Sequence, residues 1–320
     1  MADPASAVTL DAVDEELIKL LIADGRAAYA DLGASVDLSG DAVRERLKRL
    51  ISDDVIKVVG SVSAPMLGLD SFALVGITVQ GAAQPVARAL AELRSADLVV
   101  QTAGMFDIIA ELVGHDDQEI LQILDDSVRS APGVAQCMVM QYLSVEKYPE
   151  VGSRQALLGG AQQVSRPALR SKEELEDADR ALIQVLQQDG RASYRQLAEQ
   201  SGVPYASARR RVLRLLDSGV VRIVTVTNEL VYRHRVQAGI GVRVQGPIPA
   251  VVEQLRGIAE VEVVAATTGP YDLVLEVSCA SRADLYRLTG TTLRSVPGLV
   301  STETFNYLNI HRLPYTWGAL

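Results

Sequence analysis

Arg209, Arg210, Arg211 and Arg214 crowd a short stretch that opens Pro204-Tyr205-Ala206-Ser207. Guanidinium groups at that density suit two chemistries: bidentate hydrogen bonds to guanine O6 and N7 in a major groove, and clamping of backbone phosphate. Ala208, Val212 and Leu215 fall at i, i+4 and i+7, so they share one buried helix face and turn Arg209 and Arg210 away from it. Those two arginines are the expected base readers. Arg211 and Arg214, nearer the flank, are expected on phosphate, with Tyr205 and Ser207 beside them. The plainer chemistry of the same residues is a solvated basic face. Residues for covalent chemistry are sparse: His115, His234 and His311 have no counterparts in one another's surroundings, and Cys137 and Cys279 stand far apart. No Ser/His/Asp set, phosphate loop or metal-ligand spacing is present, so no catalytic residue, metal or cofactor is expected.

The elements that must position these arginines are written twice. At an offset of 165 residues, Asp24-Gly25-Arg26-Ala27 returns as Asp189-Gly190-Arg191-Ala192, Tyr29 as Tyr194, Arg44 as Arg209, Arg46 as Arg211 and Arg49 as Arg214. Further on, Gly76 matches Gly241, Thr102 matches Thr267, Gly104 matches Gly269 and Asp107 matches Asp272. A register held that long marks an internal duplication, and fusion of two copies suggests a dimer made intramolecular. Each copy opens with three short helices. In the second, Asp179 is expected to cap the first helix, Ser193 to Gln200 form the next, and Ser201-Gly202-Val203-Pro204 break the chain before a third that stops at Gly219. Helix, glycine turn, helix is the form of a helix-turn-helix. In the first copy Asp37 and Asp54 replace the two turn glycines, a tolerable exchange because Asp enters the left-handed region more readily than most residues.

Beyond a short strand, Val55 to Val62, the pattern changes period. Strand Ser71 to Gln80, helix Gln84 to Arg94, strands Leu98 to Ala103 and Asp107 to Gly114, helix Asp117 to Ser130 and strand Val134 to Tyr142 give the order βαββαβ. The expected fold class is α+β, with two winged-helix-like helix-turn-helix domains and two ferredoxin-like βαββαβ domains whose sheets pair face to face. The expected boundaries are 10–63 and 175–228 for the helix-turn-helix domains, 64–148 and 229–320 for the sheet domains, and 149–174 for a Gly, Ser, Gln and Pro linker.

Composition bounds what such a chain does. With 320 residues, 48% hydrophobic and 22% charged, it has ordinary globular usage, and 4% aromatic content disfavours base-stacking platforms for single strands. The net charge of −9 excludes an evenly basic nucleic-acid binder, but it is unevenly spread. Residues 14–63 hold seven Lys or Arg against ten Asp or Glu, whereas 179–228 hold eight against four. Phosphate neutralisation supplies most non-specific affinity, so the second helix-turn-helix is expected to dominate DNA binding. The first is expected either to contribute through Ser39, Arg44, Arg46, Lys48 and Arg49 or to be largely structural. No apolar run approaches a membrane span and the start lacks a leader pattern, which, with the few cysteines, points to the cytoplasm.

The motifs Leu10-Asp11 with Asp14, Asp24-Gly25-Arg26, Arg46 with Arg49-Leu50, and Gly104 with Asp107 recur as Asp179, Asp189-Gly190-Arg191, Arg211 with Arg214-Leu215, and Gly269 with Asp272. Jointly they resemble the Lrp/AsnC family, the feast/famine transcriptional regulators, across nearly the whole chain. The resemblance implies βαββαβ domains of the RAM type that pair and assemble into homo-oligomers, and an effector, typically an amino acid, held near the GxxD loop. Carried over, that site is Thr102, Gly104, Phe106 and Asp107 in the first copy and Thr267, Gly269, Tyr271 and Asp272 in the second. A carboxylate beside a glycine turn with free amides offers partners to both ends of an amino acid; the same residues also make ordinary turns. Pro270 removes one amide from the second loop. Double-stranded DNA, a small effector and a second copy are thus the expected partners, with no membrane. Two other readings remain: sirohaem decarboxylases resemble the same fold, with Arg233-His234-Arg235 as the cluster to hold acidic propionates, and a ligand-sensing scaffold without DNA binding is the third.

Overall fold

A computed structural model describes residues 9–62, 67–147, 175–232 and 235–312. The expected linker at 149–174 and the Arg233-His234 pair lie outside the described residues.

The first three helices are α1 (Ala12–Ala23), α2 (Tyr29–Val36) and α3 (Gly40–Ser52). Asp11 and Asp14 form a capping box at the start of α1, and Ser39 caps α3 by accepting from the Ala42 amide at 3.2 Å. Asp37, with φ 54°, ends α2 in the left-handed region, and Asp54, with φ 56°, turns the chain after α3. Gly202 and Gly219 do the same later at 71° and 74°, so aspartate takes the glycine conformation at both matched turns. Leu17, Ile18, Leu21, Leu32, Val43, Leu47 and Leu50 close the core of this unit.

Strand β1 (Ile56–Ser61) leads to β2 (Ser71–Val79), α4 (Ala83–Ala91), β3 (Ala96–Ala103), β4 (Ile108–Gly114), α5 (Asp117–Ile123) and β5 (Val134–Lys147). The βαββαβ order is as expected. Two bounds differ. Helix α5 is shorter than read because it passes into a π-helical turn, Leu124–Arg129, and β5 runs on past Tyr142. The second copy gives α6 (Asp177–Gln188), α7 (Tyr194–Ser201), α8 (Tyr205–Asp217), β6 (Arg222–Thr227), the single turn α9 (Glu229–Tyr232), β7 (Val236–Val244), α10 (Ile248–Arg256), β8 (Val261–Thr267), β9 (Leu273–Cys279), α11 (Arg282–Arg287) and β10 (Leu299–Arg312). Asp179 does not cap α6 as expected: it sits inside the first turn and accepts from the Glu176 amide at 3.2 Å.

The two sheets do not stack as separate layers. They join edge to edge into one closed eight-stranded barrel, in the order β10-β3-β4-β2-β5-β8-β9-β7. The long strands make the seams, β5 pairing antiparallel with β8 and β10 with β3. Closure leaves no free sheet edge, which is why β4 is buried at every position, one face on the helices and one inside the barrel. The interior is a small apolar plug of Leu74, Phe106, Ile109, Met140, Tyr271, Val274 and Phe305.

A second seam joins the helical units. Strands β1 and β6 pair antiparallel as a separate two-stranded sheet, and each first helix packs on the other copy's strand, α6 on β1 and α1 on β6. Gly60 and Gly190 permit this approach: a Cβ on Gly60 would lie 2.7 Å from Leu186 Cβ, and one on Gly190 2.9 Å from the Val59 carbonyl carbon.

Candidate nucleic-acid interface and effector loops

Helix α8 follows the tight turn at Gly202 and Pro204 and buries Ala208, Val212 and Leu215 against Leu182, Ile183, Leu186 and Leu197. Its opposite face is open. Tyr205, at 55% exposure, and Ala206, Arg209, Arg210 and Leu213 line a broad solvent-facing depression. Arg209 and Arg210 are exposed, and neither has a hydrogen bond or ion pair among the described residues. Their charge is therefore unspent, as a groove-reading face requires.

The neighbouring arginines differ. Arg211 binds Glu176 at 2.7 Å and Asp179 at 3.1 Å, Arg214 binds Asp179 at 2.8 Å, and Arg211 Nε donates to the Ser207 hydroxyl at 3.3 Å. Asp179 is fully buried. Burial opposes its charge, but hydrogen bonds from Arg211, Arg214 and the Glu176 amide outweigh that and hold its carboxyl below the ordinary value. The first copy repeats the lock: Arg46 binds Asp11 at 2.7 Å and Asp14 at 2.8 Å, and Arg49 closes on Asp14. The arginines expected on phosphate, Arg211 and Arg214, and the matching Arg46 and Arg49, thus carry intramolecular ion pairs. They tie the third helix of each unit to the first, Ser207 serves Arg211, and Ser39 is spent as a helix cap.

On α3, the face matching Arg209, Arg210 and Leu213 carries Arg44, Glu45 and Lys48, all exposed. One glutamate at the position of Arg210 halves the local charge advantage. The two helices present related but unequal surfaces.

The aspartates of the GxxD loops are engaged by backbone. Asp107 Oδ2 accepts from the Val79 amide at 2.9 Å and Asp272 Oδ2 from the Val244 amide at 2.8 Å, while Thr102 and Thr267 donate to the carbonyls of Phe106 and Tyr271 at 2.7 and 3.0 Å. Phe106 and Tyr271 project into the barrel, each ring lying on a glycine, Gly76 or Gly241, where a Cβ would come within 2.6 Å of ring carbons. Gly104, with φ 149°, meets the Thr304 carbonyl and Gly269, with φ 110°, the Val139 carbonyl, each 2.7 Å from where a Cβ would stand. The eight residues therefore come together as two clasps, each pressing one copy's hairpin on the other copy's long strand. The groups expected to meet an amino acid's ammonium are already bound within the turn.

Sequence reasoning missed what the repeated Asp-Gly-Arg motif does. Arg191 donates to the carbonyls of Gly25 and Ala27, both at 2.7 Å, and lies 4.5 Å from the centre of the Tyr29 ring; Arg26 donates to the Ala192 carbonyl at 2.6 Å and lies 5.5 Å from the Tyr194 ring. The signal was there, because identical residues at identical offsets on two copies are what a self-complementary interface produces. Among the described residues, His115 pairs with Glu119 at 2.6 Å, and His311 lies 3.4 Å from the Gln101 amide oxygen.

Comparison with known proteins agrees with this arrangement. The model of the AsnC-type helix-turn-helix domain matches residues 10–51 and that of the winged helix-turn-helix DNA-binding domain residues 175–222. The Lrp/AsnC ligand binding domain matches 237–312, and a C-terminal dimeric alpha+beta barrel domain matches 71–154. An uncharacterized HTH-type transcriptional regulator of Pyrococcus horikoshii is 32% identical over 146 residues, 45% of this chain and 92% of that protein. The HTH-type transcriptional regulator FL11 of Pyrococcus abyssi is 29% identical over 140 residues, 43% of this chain and 92% of its own. Over the full length the fold is similar to the crystal structure of the siroheme decarboxylase NirDL in complex with an iron-uroporphyrin III analogue, with a TM-score of 0.58, 13% identity and coverage of 95% and 94%. That likeness is one of fold. Helix-turn-helix and ligand-binding models both match, and a 32% identical regulator is covered almost end to end: the chain belongs to the Lrp/AsnC family of HTH-type transcriptional regulators.

Proposed function

We propose that this chain is a DNA-binding transcriptional regulator that carries both halves of a dimer-like reader in one polypeptide and responds to a small metabolite. The observation that carries the reading is the exposed pair Arg209 and Arg210, unpaired among the described residues, on the outer face of a helix placed by a helix-turn-helix. The finer assignment is of two winged helix-turn-helix domains and two RAM-like domains, with the boundaries given above, working in the cytoplasm without catalysis. The base-reading set is Arg209, Arg210 and Tyr205, supported by Arg44 and Lys48. An amino acid is the proposed effector class, and the exposed lips of the clasps at Gly104, Met105, Thr268 and Gly269 its proposed point of action. Differential binding of the effector to two assemblies would shift their populations and so alter operator affinity.

The test is a gel shift of the purified chain on its own upstream region at two salt concentrations, with and without a panel of amino acids. Salt-sensitive, sequence-preferring binding that Arg209→Ala with Arg210→Ala abolishes is the expected result, the variant remaining folded by circular dichroism. Undiminished specific binding by that double variant would overturn the assignment.

A further inference from the structure

The matching outer helices α5 and α11 have diverged in charge. Residues 115–130 hold five Asp or Glu against one Arg, whereas 280–295 hold three Arg against one Asp. Asp117 stands where Arg282 stands, Leu121 where Tyr286 stands and Asp126 where Thr291 stands, and all six are exposed. Leu121 and Tyr286 are the large apolar residues of the two faces, open to solvent by 53% and 78%. Each helix buries one stripe on its own sheet, Ile120 and Leu124 in the first copy and Leu285 and Leu288 in the second, which turns the diverged positions outward. Each then runs into a π-helical turn, Leu124–Arg129 or Leu288–Thr292, so one backbone shape carries both faces.

Part of this charge is spent locally. Arg129 closes on Asp125 and His115 holds Glu119, while Arg287 pairs with Asp284 at 2.8 Å and reaches Glu260 at 4.0 Å. What remains has one sign on each face. Asp116, Asp117 and Asp126 have no ion pair among the described residues: Asp116 caps α5, and Asp117 accepts from the Ser71 hydroxyl at 2.6 Å and the Gln141 side-chain amide at 3.0 Å. Arg282 and Arg294 have neither a hydrogen bond nor an ion pair among those residues, and both are exposed. A single exposed Leu or Tyr is ordinary on a protein surface. Here one is flanked by carboxylates and its counterpart by guanidinium groups, which is the layout of two complementary patches, each with an apolar centre and a charged rim.

We propose that the α5 face of one chain docks on the α11 face of a second copy of this chain, Leu121 against Tyr286, with the carboxylates of Asp117 and Asp126 facing the guanidinium groups of Arg282 and Arg294. Such a contact is heterologous. It joins unlike surfaces of identical chains, so every docked chain still offers one free face and assembly proceeds head to tail until a ring closes. The duplication is what permits it. In an unfused homodimer the two matching helices carry the same residues, and an acidic face could meet only another acidic face, which repels. Two copies in one chain are free to take opposite signs. A docked neighbour brings its own pair of reading helices and so multiplies contacts along DNA. That consequence rests on the DNA-binding reading above; the docking itself does not.

The test is sedimentation velocity on the full chain, without DNA, over a concentration series at low and high salt. Wild type should sediment as species larger than one chain at low salt and shift toward smaller ones at high salt, because exposed charge pairs are screened. Two variants each disable one face: Leu121→Lys with Asp126→Lys, and Tyr286→Ala with Arg282→Gln and Arg294→Gln. All five positions are exposed, and circular dichroism checks that both variants stay folded. Each variant alone should fall back to a smaller species than wild type. Mixed in equal amounts they should pair one to one and grow no further, since the first retains an intact α11 face and the second an intact α5 face. Wild type that sediments as a single chain at every concentration, or variants that assemble as wild type does, would overturn the proposal. Loss in both variants without pairing on mixing would do so too, since it marks a contact between like faces. DNA binding of the same samples is read by fluorescence anisotropy: an α11-face variant that loses DNA affinity while its sedimentation is unchanged would make that face a nucleic-acid surface and overturn the docking. Loss of DNA binding by wild type bears on the regulator reading and leaves the mixing result standing.

Discussion

Arg210 and Arg211 are adjacent in sequence, yet about 100° of helix rotation separates an unpaired guanidinium from one held by Glu176 and Asp179. Removing the buried end of that lock takes away the carboxylate that Arg211 and Arg214 share, while Arg211 keeps Glu176, so Asp179→Asn should cost about 2 kcal/mol, the figure for a broken buried pair reduced because Arg214 is half exposed. Urea unfolding at pH 7 measures it. The carboxyl's lowered pKa means its stabilisation is complete above about pH 4 and is lost as pH falls through the folded value. Wild type should therefore lose more stability than Asp179→Asn between about pH 5 and pH 2. Glu262 behaves in the opposite sense. Burial first, then Glu276 and Glu229, raise its pKa to about 7 against the smaller pull of Arg235 and a hydrogen bond from Ser278. Between about pH 4.5 and 7 the folded chain keeps a proton that the unfolded chain releases, so stability declines across that window. Glu262→Gln should stabilise the protein at pH 8 by on the order of 2 kcal/mol and leave it nearly unchanged at pH 4.5.

Between elements, the Asp-Gly-Arg loops set the geometry on which any reading of DNA depends. Arg191 makes two hydrogen bonds and a ring contact to the other copy's loop, so Arg191→Ala should lower stability by about 2 kcal/mol and weaken operator binding several-fold without touching a reading residue. Hydrogen exchange should then rise in α1, α6 and the β1–β6 pair; protection unchanged from wild type would count against this role. Helices and strands of this kind were legible because their signals are local: apolar spacing, Ser193 before a helix, and left-handed turns at Asp37 and Gly202. The last five residues of β5 were not. They are ordered by pairing with β8, from Tyr142 on Thr267 to Lys147 on Val264, and nothing within the strand announces a partner more than a hundred residues away. The arginine locks were not foreseen for a chemical reason, since guanidinium suits carboxylate and phosphate alike. What distinguishes them is spacing: Asp14 to Arg46 and Asp179 to Arg211 are both 32 residues apart, retained even in the copy whose helical unit is net negative.

At the scale of the whole molecule, two seams make one body from two copies. The barrel closes through β5 with β8 and β10 with β3, and the helical units through β1 with β6, so α3 and α8 are held as a fixed, pseudo-symmetric pair. In a homodimer both reading helices are identical and the preferred operator is palindromic. Here Glu45 stands where Arg210 stands, and Lys48 where Leu213 stands, so one rigid frame carries two different readers. An operator for this chain should therefore contain one strong and one weak half-site. Scrambling the half-site under α8 should abolish specific binding, and scrambling the other should weaken it several-fold. Glu45→Arg tests the cause directly. It removes a repelling carboxylate and offers a guanidinium to phosphate or base, so affinity should rise and the slope of log K against log salt should steepen by about 1, the value of one added phosphate contact. Fluorescence anisotropy across a salt series reads both quantities. If the two half-sites prove equally important and Glu45→Arg leaves affinity and slope unchanged, the readers are equivalent and the fused frame serves rigidity alone.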